Sequence, residues 1–315
     1  MRNLSRREAL EFLVAGGLAV FSAGFVEFGF AQDNGNFKHV YLNPKLREQF
    51  FLFLKNVFHL YPEQDYHHLI ELKVMKYGTD QEIYEAILAE IPSLKPILST
   101  IRYALPALKK QTQVMCDQTV ALLDGKKVID GYLEVGSTGR YLDKLQETIE
   151  VKGPIYVVSS SAPTFGAADI IERGHLQKVG NYVPLADYNA ISAAQVADES
   201  LDLLTVYIGF HHAPPEKRDP FIQSCHRALR KGGSLIVRDH DVNSLDMVHF
   251  VALAHDVFNC GLEVPWQSNE AEVRNFTSLA QLDELVTGEG FISDDRRLLQ
   301  EGDPTYNTLL KFTKA

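Results

Sequence analysis

An acidic residue, Glu134, and two glycines, Gly136 and Gly139, directly follow an apolar run. Because glycine has no Cβ, such a turn lets the backbone approach a ligand closely. A helix that begins there directs unpaired N–H groups and its positive dipole end at that ligand. The Glu134 carboxylate would repel a pyrophosphate, but it can accept hydrogen bonds from ammonium or hydroxyl groups. The motif therefore favours a nucleoside that carries an amino acid.

Histidines lie at the ends of two later apolar runs. His211 and His212 follow residues 201–208, and His240 follows residues 234–239. The pKa of histidine is near neutral, so each of these side chains can accept a proton from a hydroxyl or amine that acts as the nucleophile of a reaction. We therefore predict catalytic roles for all three, with a purely structural entry into the next helix as the alternative for the first two.

The segment Arg238–Asp241 places four charged or titratable groups in a row. Strand ends of open α/β sheets face the ligand crevice, so Arg238, Asp239 and Asp241 are predicted to contact substrate, with structural ion pairs as the alternative. Oxygen and imidazole groups can also hold a divalent metal, with help from His249 or His255. However, consecutive residues of an extended segment point to opposite sides. We therefore expect no metal site.

The hydrophobic pattern predicts the elements that position these residues. Short apolar runs alternate with helical stretches from residue 127 onward, which is typical of a mostly parallel sheet covered on both faces. The last two strands, near 291–299 and 306–313, are separated by a link too short for a helical crossover, so they form an antiparallel hairpin. The other strands are predicted near 128–134, 155–159, 181–184, 202–208 and 234–239. Helices are predicted near 139–148, 166–174, 217–230, 244–258 and 278–287.

Three motifs, taken in order, resemble class I, Rossmann-like S-adenosylmethionine-dependent methyltransferases. These are the turn Glu134–Gly139, the run Ser200–Leu204 and the run Leu229–Leu235. The resemblance covers roughly residues 120 to 315. It implies an α/β fold with a seven-stranded, mostly parallel sheet and a terminal antiparallel hairpin. It also implies S-adenosylmethionine as the cofactor and methyl transfer to a small or medium-sized nucleophile as the reaction.

The resemblance also assigns cofactor-binding roles along the chain. The implied cofactor-binding residues are Glu134, Gly136 and Gly139 at the amino-acid end, Ser159 at the ribose, Asp187 and Tyr188 at the adenine, and Tyr207 beside the methyl group. The chain departs from the family at Ser159, where relatives have an acid that accepts both ribose hydroxyls. A neutral hydroxyl lacks that charge-assisted, bidentate geometry. The departure leaves a second function open, that of an exported, catalytically silent binding protein on a methyltransferase-like scaffold.

Composition limits the partners. The chain has 315 residues and a formal net charge of −10, which argues against binding to nucleic acid phosphates. The expected partner is a small-molecule substrate. The three cysteines show no metal-binding spacing, so we expect buried free thiols. The sequence does not determine the oligomeric state.

The N-terminal residues resemble a twin-arginine export signal. Ser5–Leu10 carries two arginines and precedes an apolar run that is too short for a comfortable membrane span. We therefore predict a signal or anchor in residues 1–31, a helical cap or extension in 32–123, and the methyltransferase-like domain in 124–315. The expected location is the periplasm or the inner membrane, with transient membrane contact through the N-terminal segment. The alternative is the cytoplasm, where S-adenosylmethionine is made.

Overall fold

A seven-stranded sheet is the centre of the protein in a computed structural model that describes residues 35–94, 105–165 and 179–315. The strands are β1 (Val128–Val135), β2 (Glu150–Ser159), β3 (Asn181–Pro184), β4 (Leu201–Val206), β5 (Leu229–His240), β6 (Phe291–Leu299) and β7 (Asn307–Lys314). Their order across the sheet is β3-β2-β1-β4-β5-β7-β6. The strands β1 to β5 run parallel, and β7 pairs antiparallel with both β5 and β6. The predicted α/β fold with a terminal hairpin is therefore confirmed.

Helices surround the sheet and precede it. Those before β1 are α1 (Gly35–Tyr41), α2 (Pro44–Phe53), a π-helical turn (Leu54–Phe58), α3 (Glu63–Lys76), α4 (Asp80–Leu94) and α5 (Leu105–Leu122). Those within and after the parallel part are α6 (Leu142–Gln146), α7 (Pro215–Ala228), α8 (Leu245–Gly261), α9 (Trp266–Glu270) and α10 (Leu279–Gly288).

The N-terminal helices and α8 share one apolar core. The rings of Phe50 in α2 and Phe250 in α8 lie 5.4 Å apart edge-on. The hydroxyl of Tyr66 in α3 donates to the carbonyl oxygen of Val257 at 3.2 Å. Because α8 directly follows the end of β5 in sequence, this core holds the N-terminal helices near the carboxyl ends of the parallel strands.

Two details differ from the sequence-based expectations. A proline inside a helical pattern predicts an interruption, but α4 contains Pro92 and continues to Leu94. The ring of Pro92 removes one backbone donor, so the carbonyl oxygen one turn earlier loses that hydrogen bond while the helix continues. The short helix α9 was not predicted, because five residues carry too little periodicity to be recognised.

Some predictions fall on residues outside the described ranges. These are the signal or anchor segment in residues 1–31 and the helix expected at 166–174. Among the residues that the structure does describe, none of the helices combines the length and the apolar character that a membrane span requires.

Gly131 lets β1 pass close to the start of β4. Its φ is +87°, and a Cβ placed on it would lie 2.2 Å from the carbonyl oxygen of Ser200. This oxygen belongs to the backbone of the neighbouring chain segment, so it cannot rotate away. Glycine at position 131 is therefore required both by backbone conformation and by space.

We predict that Gly131→Ala lowers the free energy of unfolding by at least about 2 kcal/mol, because backbone strain of about 1–3 kcal/mol adds to the clash. Gly125→Ala is the matched control, since its φ is +78° but nothing lies within 4 Å of the added Cβ. Gly125→Ala should lower the free energy of unfolding only by the backbone strain, about 1 kcal/mol. Urea unfolding measures both, and equal losses would contradict the clash at Gly131.

Candidate active site

A cavity of about 240 Å³ lies between the carboxyl ends of β1, β4 and β5 and the N-terminal helices. The sheet contributes Gly136 after β1, Tyr207–His212 after β4 and Arg238–His240 at the end of β5. The residues that line the cavity from these strand ends are Gly136, Tyr207, Ile208, His211, His212, Arg238 and His240. Side chains of α2, the π-helical turn, α5 and α8 complete the wall. This places the predicted catalytic residues His211, His212 and His240 on one surface.

The Glu134 carboxylate is fully buried beneath the glycine turn. It accepts a hydrogen bond from the Tyr132 hydroxyl at 2.9 Å and another from the Ser137 hydroxyl. Burial raises the pKa of Glu134, and these two hydrogen bonds oppose part of the rise. Glu134, which is predicted to bind the cofactor, therefore also stabilises the conformation of the turn through its hydrogen bond with Ser137.

Two side chains pack over the glycines of the turn. Gly136 has a φ of +95°, and a Cβ on it would lie 2.2 Å from Cγ2 of Ile208. Gly139 has a φ of +98°, and its Cβ would lie 2.0 Å from Cγ2 of Val179. The glycines thus allow close approach, as predicted, and in this structure the groups that approach are Ile208 and Val179.

The residues predicted at the ribose and adenine lie away from the cavity wall. The Ser159 hydroxyl is buried at the end of β2 and donates to the carbonyl oxygen of Ser161 at 2.7 Å. Asp187 is half-buried in a left-handed turn. Tyr188 is buried against Phe221, with its hydroxyl bonded to the Gly209 carbonyl oxygen at 2.9 Å. Tyr188 thus contributes to the core and supports the loop after β4.

Tyr207 lines the cavity through its ring. Its hydroxyl is buried and shares a hydrogen bond of 2.7 Å with Thr119 of α5. The ring lies edge-on to Tyr141, with centroids 4.5 Å apart. Burial is the main reason that the pKa of Tyr207 is raised well above its ordinary value. Tyr207 therefore presents an apolar face, rather than a phenolate, beside Gly136.

His211 and Asp239 form a buried pair. His211 Nδ1 lies 2.5 Å from Asp239 Oδ1, and Asp239 also accepts from the backbone N–H groups of Phe210 and His240 at 2.8 and 2.9 Å. Burial alone would raise the pKa of Asp239, but the charge and hydrogen bond of His211 hold it well below its ordinary value. In the neutral form of His211 the carboxylate accepts the Nδ1 proton, and Nε2 then carries the lone pair. That atom is buried and has no hydrogen-bond partner among the described residues.

Three more imidazoles surround His211. The ring centroids of His212, His240 and His255 lie 4.1, 5.3 and 5.2 Å from that of His211. Desolvation, followed by the charge of His211, lowers the pKa of His212 to about 4 and that of His240 well below its ordinary value. Desolvation also lowers the pKa of His255. These three rings are therefore neutral at pH 7.

A buried ionic network lies behind this cluster. Arg274 contacts Asp256 at 2.6 Å and Glu272 at 2.8 Å. Burial favours the neutral form of Arg274, but the two carboxylates raise its pKa above the ordinary value. Glu272 in turn lies 3.7 Å from Nδ1 of His255 and 3.6 Å from Nδ1 of His212. The network thus fixes the positions of two histidines.

The three predicted substrate contacts are separated in the structure. Arg238 lines the cavity, and its Nε is buried without a hydrogen-bond partner among the described residues. Its terminal nitrogens have only long contacts, each of 3.5 Å, to Tyr207 O and Gln300 Oε1. Asp239 points inward to His211. Asp241 accepts from the backbone N–H of Leu279 at 3.0 Å and lines a different depression.

Several residues of the site were not assigned roles by sequence analysis. Arg140, His255 and Glu272 all line the cavity. Arg140 directly follows the predicted turn, so its position was available from the motif. The sequence suggested His255 only as an additional metal ligand beside Arg238–Asp241, with His249 as the alternative. His249 instead lies against His39, with ring centroids 4.0 Å apart. No local pattern marks Glu272, because its partners come from other elements.

Comparison with known proteins adds one finding to this geometry. Residues 133–237 match the family model of a methyltransferase domain. The matched segment runs from β1 into β5 and contains the glycine turn and the loop after β4. This match supports a class I methyltransferase domain and indicates S-adenosylmethionine as its cofactor. No curated protein matches the chain.

Solved structures of methyltransferases resemble the chain at low identity. The 1,6-didemethyltoxoflavin-N1-methyltransferase of Burkholderia thailandensis, bound to 1,6-didemethyltoxoflavin and S-adenosylhomocysteine, is 11% identical, with a TM-score of 0.43 over 74% of this chain and 87% of that chain. The pyocyanin biosynthetic protein PhzM is 12% identical, with a TM-score of 0.47 over 87% and 74%. The magnesium protoporphyrin IX methyltransferase of Synechocystis PCC 6803, bound to S-adenosylhomocysteine, is 15% identical, with a TM-score of 0.42 over 64% and 83%.

The glycine turn Glu134–Gly139 fits the amino-acid end of S-adenosylmethionine. Gly136 and Arg140 line the cavity, and a guanidinium group is suited to pair with a carboxylate. Thr138 Oγ1 is buried without a hydrogen-bond partner among the described residues, as expected of a hydroxyl that hydrogen-bonds to a ligand. The fit at the ribose is poorer, because the Ser159 hydroxyl is buried away from the cavity wall and donates to the carbonyl oxygen of Ser161.

We predict that Arg274→Met destabilises the protein by about 3–5 kcal/mol, because Asp256 and Glu272 are left buried and uncompensated. Arg296→Met is the matched control. Arg296 also contacts two carboxylates, Asp124 and Asp294, but its side chain is 40% exposed, so its loss should destabilise the protein much less. Thermal unfolding of both variants checks the difference, and a loss below 1 kcal/mol for Arg274→Met would contradict it.

Proposed function

We propose that the protein transfers a methyl group from S-adenosylmethionine to a small acceptor bound in the cavity. One observation carries the proposal. The cavity begins at Gly136 of the glycine turn and ends at the histidine wall formed by His211, His212 and His240. A donor held at the turn and an acceptor held at that wall would share one enclosed space, which is the arrangement that methyl transfer requires.

The residues at the turn would hold the amino-acid part of the cofactor. Arg140 pairs with its carboxylate, and the Glu134 charge stabilises its ammonium group from beneath the turn. Ile208 lies over Gly136, and a side chain can rotate where backbone cannot, so Ile208 makes room for the ligand. When bound, the cofactor supplies a methyl group on a positively charged sulfur.

The cavity wall indicates what kind of acceptor binds. Apolar side chains of the N-terminal helices and α8 line one side, including Phe53, Val57 and Phe258. Lys110 and Arg238 add positive charge to the same wall. Arg238 is half-buried and makes only long contacts to the described residues, so its guanidinium is available to a carboxylate or phosphate. The expected acceptor is a small, partly apolar molecule with an anionic group.

The acceptor's nucleophilic atom would lie against His211. Asp239 holds the His211 ring by its Nδ1 proton, which leaves the Nε2 lone pair directed away from Asp239, toward the other histidines. Transfer is an in-line displacement, in which a bond forms from the nucleophile to the methyl carbon while the carbon–sulfur bond breaks. The protein's main contribution to such a reaction is to hold the two groups in a near-attack geometry. His212 and His240, for which catalytic roles were also predicted, would complete this wall.

We predict that Glu134→Gln weakens the binding of S-adenosylhomocysteine by about 10-fold or more, because the amide removes the buried negative charge that attracts the ammonium group. The amide keeps the shape of the buried side chain, so the fold should persist. Titration calorimetry measures the affinity, with Glu150→Gln, at the exposed start of β2, as the control. No heat from either cofactor form with folded wild-type protein would refute the proposed function.

We also predict that Arg238→Met raises the KM for anionic acceptors by about 10-fold or more and leaves the affinity for S-adenosylhomocysteine unchanged. Formation of S-adenosylhomocysteine from S-adenosylmethionine is measured with a panel of small aromatic acids, phenols and amines. Arg297→Met is the matched control. Arg297 lies on β6 and forms an exposed ion pair with Asp283 of α10. An equal effect on neutral and anionic acceptors would rule out the assigned role of Arg238.

A further inference from the structure

Three histidines from three different elements converge in the cavity. His211 follows β4, His240 ends β5, and His255 lies in the middle of α8. One ring nitrogen of each lies within 4.8 Å of the corresponding nitrogens of the other two. The ring centroids are separated by 5.2 to 5.8 Å. The fold thus gathers three imidazoles around a single point.

Each of these rings has its Nδ1 directed at an oxygen atom. His211 Nδ1 lies 2.5 Å from a carboxylate oxygen of Asp239, and His240 Nδ1 lies 2.9 Å from the carbonyl oxygen of Thr305. His255 Nδ1 faces a carboxylate oxygen of Glu272 at 3.7 Å. These oxygens only accept hydrogen bonds, so the proton of a neutral His211 or His240 resides on Nδ1, and the Glu272 carboxylate favours the same tautomer of His255. The lone pairs are therefore on the Nε2 atoms.

This is the arrangement by which proteins prepare histidines for a metal. Metal-binding histidines usually donate their other ring N–H to a carboxylate or a backbone carbonyl, which fixes the tautomer and the ring orientation. The Nε2 atom of His211 is also buried without a hydrogen-bond partner among the described residues, an expensive state unless a ligand compensates for it. We infer that His211, His240 and His255 bind one divalent ion of the zinc class.

The surroundings are suited to such an ion. A tetrahedral ion bound at about 2.0–2.1 Å from each nitrogen places the nitrogens about 3.3 Å apart, so the rings need to close by at most about 1.5 Å. The carboxylates of Asp239 and Glu272 lie behind two of the rings and compensate for the positive charge. The ring of Phe276 packs against all three histidines, with centroids 5.3 to 6.3 Å away, and limits access of water. Three imidazoles leave one position open toward the cavity, as in catalytic zinc sites.

A second group of possible ligands shares one of these histidines. It consists of His212, His255 and Glu272. The Glu272 carboxylate is already engaged by Arg274 at 2.8 Å and by Asn259 at 2.9 Å, and the guanidinium charge would repel a cation. His212 Nδ1 faces the Val273 carbonyl oxygen at 3.3 Å. The first group is therefore the better site.

Metal binding itself does not depend on methyl transfer. If the proposed function holds, the heteroatom of the acceptor takes the open fourth position. The ion lowers the pKa of that group, its proton leaves to water, and the resulting anion attacks the methyl carbon as the carbon–sulfur bond breaks. In the metal-loaded protein the three histidines thus act on the acceptor through the ion.

The test uses the full chain without a histidine tag, freed of metal by a chelator and titrated with Zn²⁺ and Co²⁺. We expect one equivalent of either ion to bind, with the intense visible absorption of tetrahedral Co²⁺. Zn²⁺ binding should weaken by at least about 100-fold in each of His211→Gln, His240→Gln and His255→Gln. This effect exceeds the roughly 10- to 100-fold loss that follows when only a hydrogen-bond partner of a metal ligand is removed. His249→Gln, another buried histidine of α8 that lies outside the cluster, should bind as the wild type does.

X-ray absorption of the Zn²⁺-loaded wild-type protein gives an independent count, which does not depend on the variants folding, and should show three imidazole ligands. Fewer than three, or no binding of either ion, would overturn the inference. Loss of binding in His212→Gln and Glu272→Gln, but not in His240→Gln, would place the ion in the second group and would also overturn it. Because these measurements contain no S-adenosylmethionine, failure of the metal site and failure of methyl transfer are distinguishable.

Discussion

One buried carboxylate ties the ends of two neighbouring strands together. Asp239 accepts hydrogen bonds from the backbone N–H groups of Phe210 and His240 and from the ring N–H of His211. Removing donors from a buried carboxylate costs several kcal/mol, so the loop after β4 is held against the end of β5. The position of His211 follows directly from this constraint. The cavity wall, the orientation of the imidazoles and the path to the glycine turn all depend on it.

The other side of the cavity depends on the helical layer. The core shared by the N-terminal helices and α8 places α8 across the strand ends, and α8 then directs His255 at His211. The ionic contacts of Arg274 hold Glu272 beside that ring. A buried ionic network contributes little net stability compared with apolar packing, but it fixes the positions of its members when every partner is present. The network thus serves the geometry of the site.

Much of the fold could be predicted from local patterns. The strand β1 and its glycine turn follow from an apolar run that ends at Gly136, and the terminal hairpin follows from a link too short for a helix. The clustering of His211 and Arg238 could also be predicted, because carboxyl ends of adjacent parallel strands meet at one edge of a sheet. Tyr188 shows where such reasoning ends. Its place in the chain suggested an adenine contact, but its left-handed backbone turns the ring into the core.

The sequence by itself determined the order of strands and helices, the glycine turn after β1 and the polar residues at the strand ends, since these depend on periodicity and on local backbone chemistry. Only the tertiary structure decided that Glu134 is bonded beneath the turn and that Ile208 lies over Gly136. Only the tertiary structure brought His255 to His211 and His240. These contacts join residues far apart in the chain, and their distances are determined by how the helices pack on the sheet, which no local pattern specifies.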